Sequence, residues 1–243
     1  MTAGGPTSRT VLVTGATSGI GLAVAHHRLA AGDRVVGVGR DFAKIDLRDP
    51  SFTPVHLDLA DLDPLPGHLE KLARAHPEID ALVLAAGAGR LGMLEESSYD
   101  QIRALIDLDL TAQIYLARAF LPPLKRRRRG DLVLIGSEAA LTGRRGGAVY
   151  CAAKFALRGF AQALREECAK SGVRVTLVNP GMVKTPFFDH LPVAPGPEED
   201  NYLLPEEVAE AVSMILDQRP GAVVDEVNLS PLKRVVEFKR RKG

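Results

Sequence analysis

TVLVTGATSGIG (Thr10–Gly21) changes its periodicity within a few residues. Thr10 to Thr14 are β-branched or aliphatic and read as a buried strand, and a helical pattern starts at Gly19. The glycines have separate uses: Gly15 permits a tight exit from the strand, while Gly19 and Gly21 let backbone and helix come close to a ligand. Free N–H groups and the dipole at the helix start favour negative charge there. Gly15, Thr17, Ser18, Gly19, Ile20 and Gly21 are therefore the expected cradle of a pyrophosphate, against the alternative of a turn that is only structural. The spacing G-x-x-x-G-x-G departs from the G-x-G-x-x-G of the usual dinucleotide fingerprint.

Outward from this stretch, apolar β-branched runs alternate with helical stretches along the whole chain. Strands are expected at Thr10–Thr14, Arg34–Val38, Pro54–Leu57, Ala81–Ala85, Asp131–Ile135, Val173–Val178 and Val223–Leu229, with helices between most of them. That order predicts an α/β fold, a Rossmann-like doubly wound parallel sheet of about seven strands flanked by helices on both faces. The interval from Arg40 to Pro54 has room for only about a turn or two of helix. No repeat or linker divides the chain, so residues 1–243 are expected to form one domain. PVAPGPEEDN (Pro192–Asn201) reads as a flexible excursion before a helix that starts near Pro205.

Composition bounds the function. The 243 residues suit one large sheet, and plentiful aliphatics with no tryptophan suit buried parallel strands. Lys and Arg number 31 against 30 Asp and Glu, so the formal charge of +1 leaves no whole-chain footprint for nucleic acid. MTAGGPTSR lacks an apolar signal core, and no run approaches the roughly 20 apolar residues of a spanning helix. A cytoplasmic protein without nucleic-acid or membrane partners is expected. Cys151 and Cys168 share a predicted helix, where a rise of about 1.5 Å per residue puts them roughly 25 Å apart and unable to pair. His26 and His27 have no second ligand pair at suitable spacing, so no metal site is expected. KRRRR (Lys125–Arg129) reads as a solvated helix end, and residues 232–243 read as a basic, soluble C-terminal tail.

Tyr150-Cys-Ala-Ala-Lys154 follows Ser137, which ends a predicted strand. A four-residue step on a helix stacks side chains on one face, so the phenol and the ammonium can lie together. A nearby cation favours phenolate, which predicts a lowered Tyr150 pKa and an acid or base usable near neutrality. Ser137 can donate a hydrogen bond to a carbonyl oxygen as charge develops on it.

Together with the opening turn, these residues resemble the short-chain dehydrogenase/reductase family. The matching pieces are TGATSGIG at Thr14–Gly21, Asp58 after the third strand, AAG at Ala85–Gly87, Ser137, Tyr150 with Lys154, and NPGMVKT at Asn179–Thr185. The resemblance implies an oxidoreductase that interconverts a small-molecule carbonyl and a secondary alcohol by hydride transfer. Tyr150 would be the proton donor, Ser137 would orient and stabilise the carbonyl, and Lys154 would hold the nicotinamide ribose and tune the tyrosine. Asp58 and Leu59 would meet the adenine, Ala86 and Gly87 would form a cofactor wall, and Pro180, Gly181, Val183 and Thr185 would meet the carboxamide. Two departures stand out. Leu84-Ala85-Ala86-Gly87 replaces the usual Asn-Asn-Ala-Gly, and Asp109 in IDLDLTAQ stands where the catalytic asparagine of the family falls. The backbone carbonyl at that position serves a proton relay, a role an aspartate keeps. A catalytically weak, cofactor-sensing interaction protein on the same scaffold is the alternative those departures raise.

After the second strand, Gly39 occupies the position where NAD-preferring sites place a carboxylate, and Arg40 follows as a partner for a 2′-phosphate. NADP(H) is the expected cofactor, with Asp41 next door keeping NAD(H) as the alternative. Residues 183–204 correspond to the family's variable substrate lid, with Phe187, Phe188 and Leu191 as its apolar inner surface. The run Tyr202–Leu232 and GGAVYCAAK are similar to the branch that contains 3-hydroxy acid dehydrogenases. Arg144 and Arg145 read as an exposed loop pair or as attractors of an anionic substrate group. Apolar residues on several faces of the helices Tyr99–Arg128 and Ala148–Ser171, which family members commonly pair with symmetry mates, imply a homodimer or homotetramer.

Overall fold

The computed structural model describes residues 8–239. Its main sheet is wholly parallel, with strand order β3-β2-β1-β4-β5-β6-β8. The strands are β1 (Thr10–Thr14), β2 (Arg34–Gly39), β3 (Phe52–His56), β4 (Ala81–Leu84), β5 (Gly130–Ile135), β6 (Val173–Pro180) and β8 (Glu226–Leu229). From β1 the chain winds out to β3, then returns to lay β4 against the free side of β1. The crevice at the C-terminal ends of β1 and β4 is the switch point where open α/β sheets hold their ligands.

Strand alternation decides the two layers. Leu12 faces a core shared with Leu69 of α2 (Leu65–Ala75), Leu116 of α4 (Ala112–Arg127) and Leu157 of α5 (Ala148–Ala169). Val11 and Val13 face the opposite core, closed by Val24 of α1 (Gly19–Ala30) and Val212 of α6 (Pro205–Leu216). All eight side chains are buried, each contributing on the order of 1.5–3 kcal/mol by leaving water. At the N-terminal edge of the sheet a buried ion network ties four segments. Arg9 binds Asp131 at 2.6 Å and Asp80 at 3.0 Å, and Arg174 binds Asp131 at 2.5 Å.

The predicted helix Tyr99–Arg128 is interrupted. Helix α3 (Tyr99–Ile106) passes through one π turn, Asp107–Thr111, before α4, and the Ala112 N–H reaches back five residues to the Asp107 carbonyl. That extra residue per turn rotates Asp109 inward, where it is fully buried.

Several expectations are corrected. No helix forms between Arg40 and β3, and β3 begins two residues earlier than predicted. The last strand of the main sheet is only Glu226–Leu229, because Val223 and Val224 precede its pairing with β6. The excursion Pro192–Asn201 contains β7 (Val193–Pro195), and the tail contains β9 (Val236–Phe238), which pairs with it antiparallel. The tail is therefore not a free solvated segment through residue 239, while its last residues, 240–243, lie outside the described ones. Each strand is too short to announce itself, and each gains its hydrogen bonds from a partner distant in sequence. Part of the basic run is also engaged: Arg127 donates to the carbonyls of Pro77 and Ile79, and Lys125 to that of Glu167 at 3.2 Å. Both cysteines are free and buried, and His27 meets Ser213 at 2.9 Å. Among the described residues no cluster of metal-ligating side chains exists and no helix is long and apolar enough to cross a membrane.

Candidate active site

A cavity of about 1030 Å³ runs from the glycine turn, across the ends of β1, β4, β5 and β6, to the underside of residues 186–193. Every cofactor residue expected from the sequence lines it. Gly15 and Thr17 through Gly21 form one end with Arg40, Asp58 and Leu59; Ala86 and Gly87 form the floor; Pro180, Gly181, Val183 and Thr185 form the far wall. The turn has the form an anionic group requires. Gly15 and Gly19 adopt φ of +69° and +52°, and a Cβ on Gly21 would overlap the Gly15 carbonyl. Ser18, at the N-cap of α1, makes no side-chain cap bond. The first N–H groups of α1 are thus presented to the cavity without a capping oxygen, and a dinucleotide pyrophosphate fits there.

The ribose end discriminates by shape as well as by charge. A Cβ at Gly39 would lie 2.5 Å from Cγ2 of Thr17, so a side chain, and with it a carboxylate, fits at the end of β2 only if Thr17 moves. Asp41 is turned to its own loop, accepting from the Ala43 N–H at 2.9 Å. Arg40 is exposed and lines the cavity as the available cation.

At the other end, α5 carries Tyr150 and Lys154 on one face, with the Lys154 Nζ 5.6 Å from the phenol ring centroid. Ser137 closes the group from the turn after β5. Its backbone N–H donates to Oδ1 of Asn179 at 3.3 Å, and Asn179 is held by Glu226 at 2.8 Å and Asn228 at 3.0 Å. Asp109 does not line the cavity; it lies behind Lys154. Its Oδ2 is 3.2 Å from Nζ, and its Oδ1 accepts from the Ala88 N–H at 2.7 Å. The carboxylate thus ties the lysine to the loop after β4 that replaces the usual paired asparagines.

The electrostatics overturn one expectation. Burial opposes ionisation of Tyr150, and the Asp109 charge offsets the help given by Lys154, so the phenol pKa is raised rather than lowered. Lys154 is itself raised: burial opposes its charge, but Asp109 and Tyr150 together outweigh that. Asp109 is raised by burial despite Lys154. The Tyr150 proton accordingly stays on the phenol through the neutral range, the state that donates to a carbonyl. Removing the carboxylate as Asp109→Asn should lower the Tyr150 pKa, because Lys154 then acts on it uncompensated. The pH profile for alcohol oxidation, which requires phenolate, should move toward lower pH. A shift toward higher pH would mean that Lys154 has lost its proton instead.

The outer wall is apolar. The Phe187 ring is 6.2 Å from that of Tyr150 and packs edge-on to Phe188 at 5.2 Å. Gly89 makes room for it, since a Cβ there would come within 2.5 Å of the Phe187 ring. At the mouth the arginine pair divides: Arg144 is 2.7 Å from Oε1 of Glu138, whereas Arg145 has no carboxylate partner among the described residues. Arg144 is therefore committed to the protein and is not an open anion site. Sequence reasoning missed Glu138, Gly89, and the C-terminal residues Val236 and Phe238, all of which line the cavity. Only the apolar alternation in RVVEF carried a signal, that of a strand.

Residues 9–194 match the short chain dehydrogenase family. The chain is 30% identical over 240 residues to an NADP-dependent 3-hydroxy acid dehydrogenase of Schizosaccharomyces pombe, covering 92% of each chain. Among solved structures it resembles an alcohol dehydrogenase from the archaeon Thermococcus sibiricus complexed with 5-hydroxy-NADP. That likeness has a TM-score of 0.84 at 26% identity and covers 94% of this chain and 99% of the other. Serine dehydrogenase from Escherichia coli superposes with a TM-score of 0.78 at 28% identity, covering 90% and 96%. With its glycine turn, parallel sheet and Ser137–Tyr150–Lys154 group, the chain belongs to the short-chain dehydrogenase family.

Proposed function

We propose that the protein interconverts a carbonyl and a secondary alcohol with NADP(H), and that Tyr150, Ser137, Lys154 and Asp109 are the residues that do so. The carrying observation is that Tyr150 and Lys154 share one face of α5 inside the cavity that begins at the glycine turn. When bound, NADPH supplies the hydride. In reduction, Tyr150 Oη donates a proton to the carbonyl oxygen while the Ser137 hydroxyl stabilises the negative charge developing on it. Lys154 favours the phenolate left behind, and Asp109 positions Lys154 and sets how strongly it does so. Phe187, Phe188 and Leu191 exclude water from above, supporting residues 183–204 as the lid. The sensor alternative loses its main ground, because Asp109 keeps Lys154 in place at the tyrosine. Assays of aldehydes, ketones and hydroxy acids with NADPH or NADP⁺ test the reading; cofactor binding without any turnover would contradict it.

The substrate class we favour is a 3-hydroxy acid or its 3-oxo counterpart, as named for the S. pombe relative. Arg145, unpaired at the cavity mouth, is the group that would meet the carboxylate. Arg145→Gln should raise KM for acidic substrates roughly tenfold, the low end for a charge-assisted hydrogen bond, and leave neutral carbonyls near their original values. Equal effects on both would remove Arg145 from recognition.

We further read the protein as a cytoplasmic homodimer or homotetramer. Tyr99 of α3 is 88% exposed and Phe155 of α5 is 43% exposed, on the two helices whose apolar faces exceed what the sheet needs. Light scattering at micromolar concentration should show a multiple of 26.1 kDa, and a purely monomeric species would contradict it.

A further inference from the structure

Among the described residues of the C-terminal segment, Lys233 and Lys239 hold it across the lid and Arg234 lies toward the Ser137 turn. Lys233 pairs with Asp200 at 2.7 Å, and its N–H donates to the Asp200 carbonyl at 2.8 Å. Arg234 lies 3.9 Å from Glu138, the residue after Ser137. Lys239 donates through Nζ to the carbonyls of Phe188 and Asp189, and through its N–H to Pro192 at 2.8 Å. Between these ties β9 is in register with β7, Val193 opposite Phe238 and Pro195 opposite Val236. Strand alternation then puts Val236 and Phe238 on one face and Glu237 on the other. The first two line the cavity beside Leu191 and Val193. Phe238 is 82% exposed although Glu237 and Lys239 on either side of it are pinned, so among the described residues the segment leaves a large apolar surface uncovered beside the cavity.

We propose that residues 233–239 form a strap that completes the substrate pocket, with Val236 and Phe238 determining specificity for an alkyl substituent on the reacting carbonyl compound. This rests on the carbonyl-reductase reading for the identity of the substrate, but not for the binding it describes. The polar groups fix the oxygen at Ser137 and Tyr150. The strap buries the chain beyond it, and the Lys233–Asp200 pair with the Lys239 hydrogen bonds keeps the strap on the lid.

The experiment compares the wild type, Phe238→Ala, Val236→Ala and Lys239→Ala on two homologous series. One is the aldehydes from propanal to decanal, read as NADPH-dependent turnover. The other is the unreactive amides from propanamide to decanamide, read calorimetrically as affinity for the NADP⁺-saturated protein. Wild-type affinity should tighten with length by up to roughly fourfold per methylene buried. The ratio of decanamide to propanamide affinity should fall about tenfold in Phe238→Ala, with part of that loss in Val236→Ala. Lys239→Ala, which touches no substrate, should lower the same ratio by freeing the strap. Melting curves matching the wild type would exclude unfolding as the cause. A ratio within about twofold of wild type in Phe238→Ala would overturn the proposal, as would a wild type with no dependence on length. An unchanged ratio with dissociated oligomers would overturn it too, giving Phe238 to a subunit contact. Length-dependent amide binding without turnover of any aldehyde, ketone or hydroxy acid would sustain the strap and overturn the reductase reading.

Discussion

Tyr150→Phe should retain NADPH affinity and lose turnover by a factor of about 10² to 10⁴, the usual contribution of a positioned general acid. The substitution removes only the hydroxyl. The ring keeps its place 6.2 Å from Phe187 and under Lys154, so the cavity should hold its shape. The two charged groups behind the phenol are engaged with each other. Lys154 is committed to Asp109 at 3.2 Å, and Asp109 is fully buried behind it, outside the cavity. A Phe variant within a few-fold of wild type would show that the proton comes from water or another group, and would dissolve the role given to Lys154 as well.

Arg40→Asp is expected to weaken NADPH by about 100-fold while changing NADH by less than about threefold. A charge-assisted hydrogen bond contributes ~1.5–3 kcal/mol, and the new carboxylate adds repulsion toward the 2′-phosphate. The asymmetry follows from the surroundings. Gly39 carries no carboxylate of the kind an NAD site would use, Thr17 crowds the space one would need, and Asp41 is engaged with its own loop. The variant therefore places a negative charge in a position that wild type leaves to Arg40 alone. Isothermal titration with both cofactors measures the effect, and equal losses would mean that Arg40 does not meet the phosphate.

What was legible in the sequence was local or periodic. Thr10–Gly21 announced its strand, turn and helix because the period changes there and the glycines mark the turn. Tyr150 and Lys154 could be placed on one face from their spacing alone, and the structure puts both in the cavity. What could not be read depends on partners distant in the chain. Asp109 reaches Lys154 only because one π turn rotates it inward, and no residue in IDLDLT marks that turn. The direction of the Tyr150 shift rests first on burial of the phenol and then on the Asp109 carboxylate, and of these groups only the cation four residues away is visible in the sequence. Gly39 looked like an absent carboxylate and is instead a contact with Thr17. The tail looked solvated because lysines and arginines usually are, yet Lys233 and Lys239 satisfy an acid and two carbonyls of the lid. Arg9, Asp80, Asp131 and Arg174 likewise gave no sign of meeting, since four separate elements bring them together.

In the proposed reaction Tyr150 and its neighbours complete a transfer between NADPH and a carbonyl carbon within the cavity that begins at the glycine turn. Single-turnover reactions with NADPH deuterated at the nicotinamide C4, on the panel of aldehydes, ketones and 3-oxo acids, test it by mass spectrometry of the products. Wild type should form an alcohol carrying the label on its carbinol carbon, a product largely lost in Tyr150→Phe. Tight NADPH binding with the label never leaving the cofactor, across the whole panel, would contradict it.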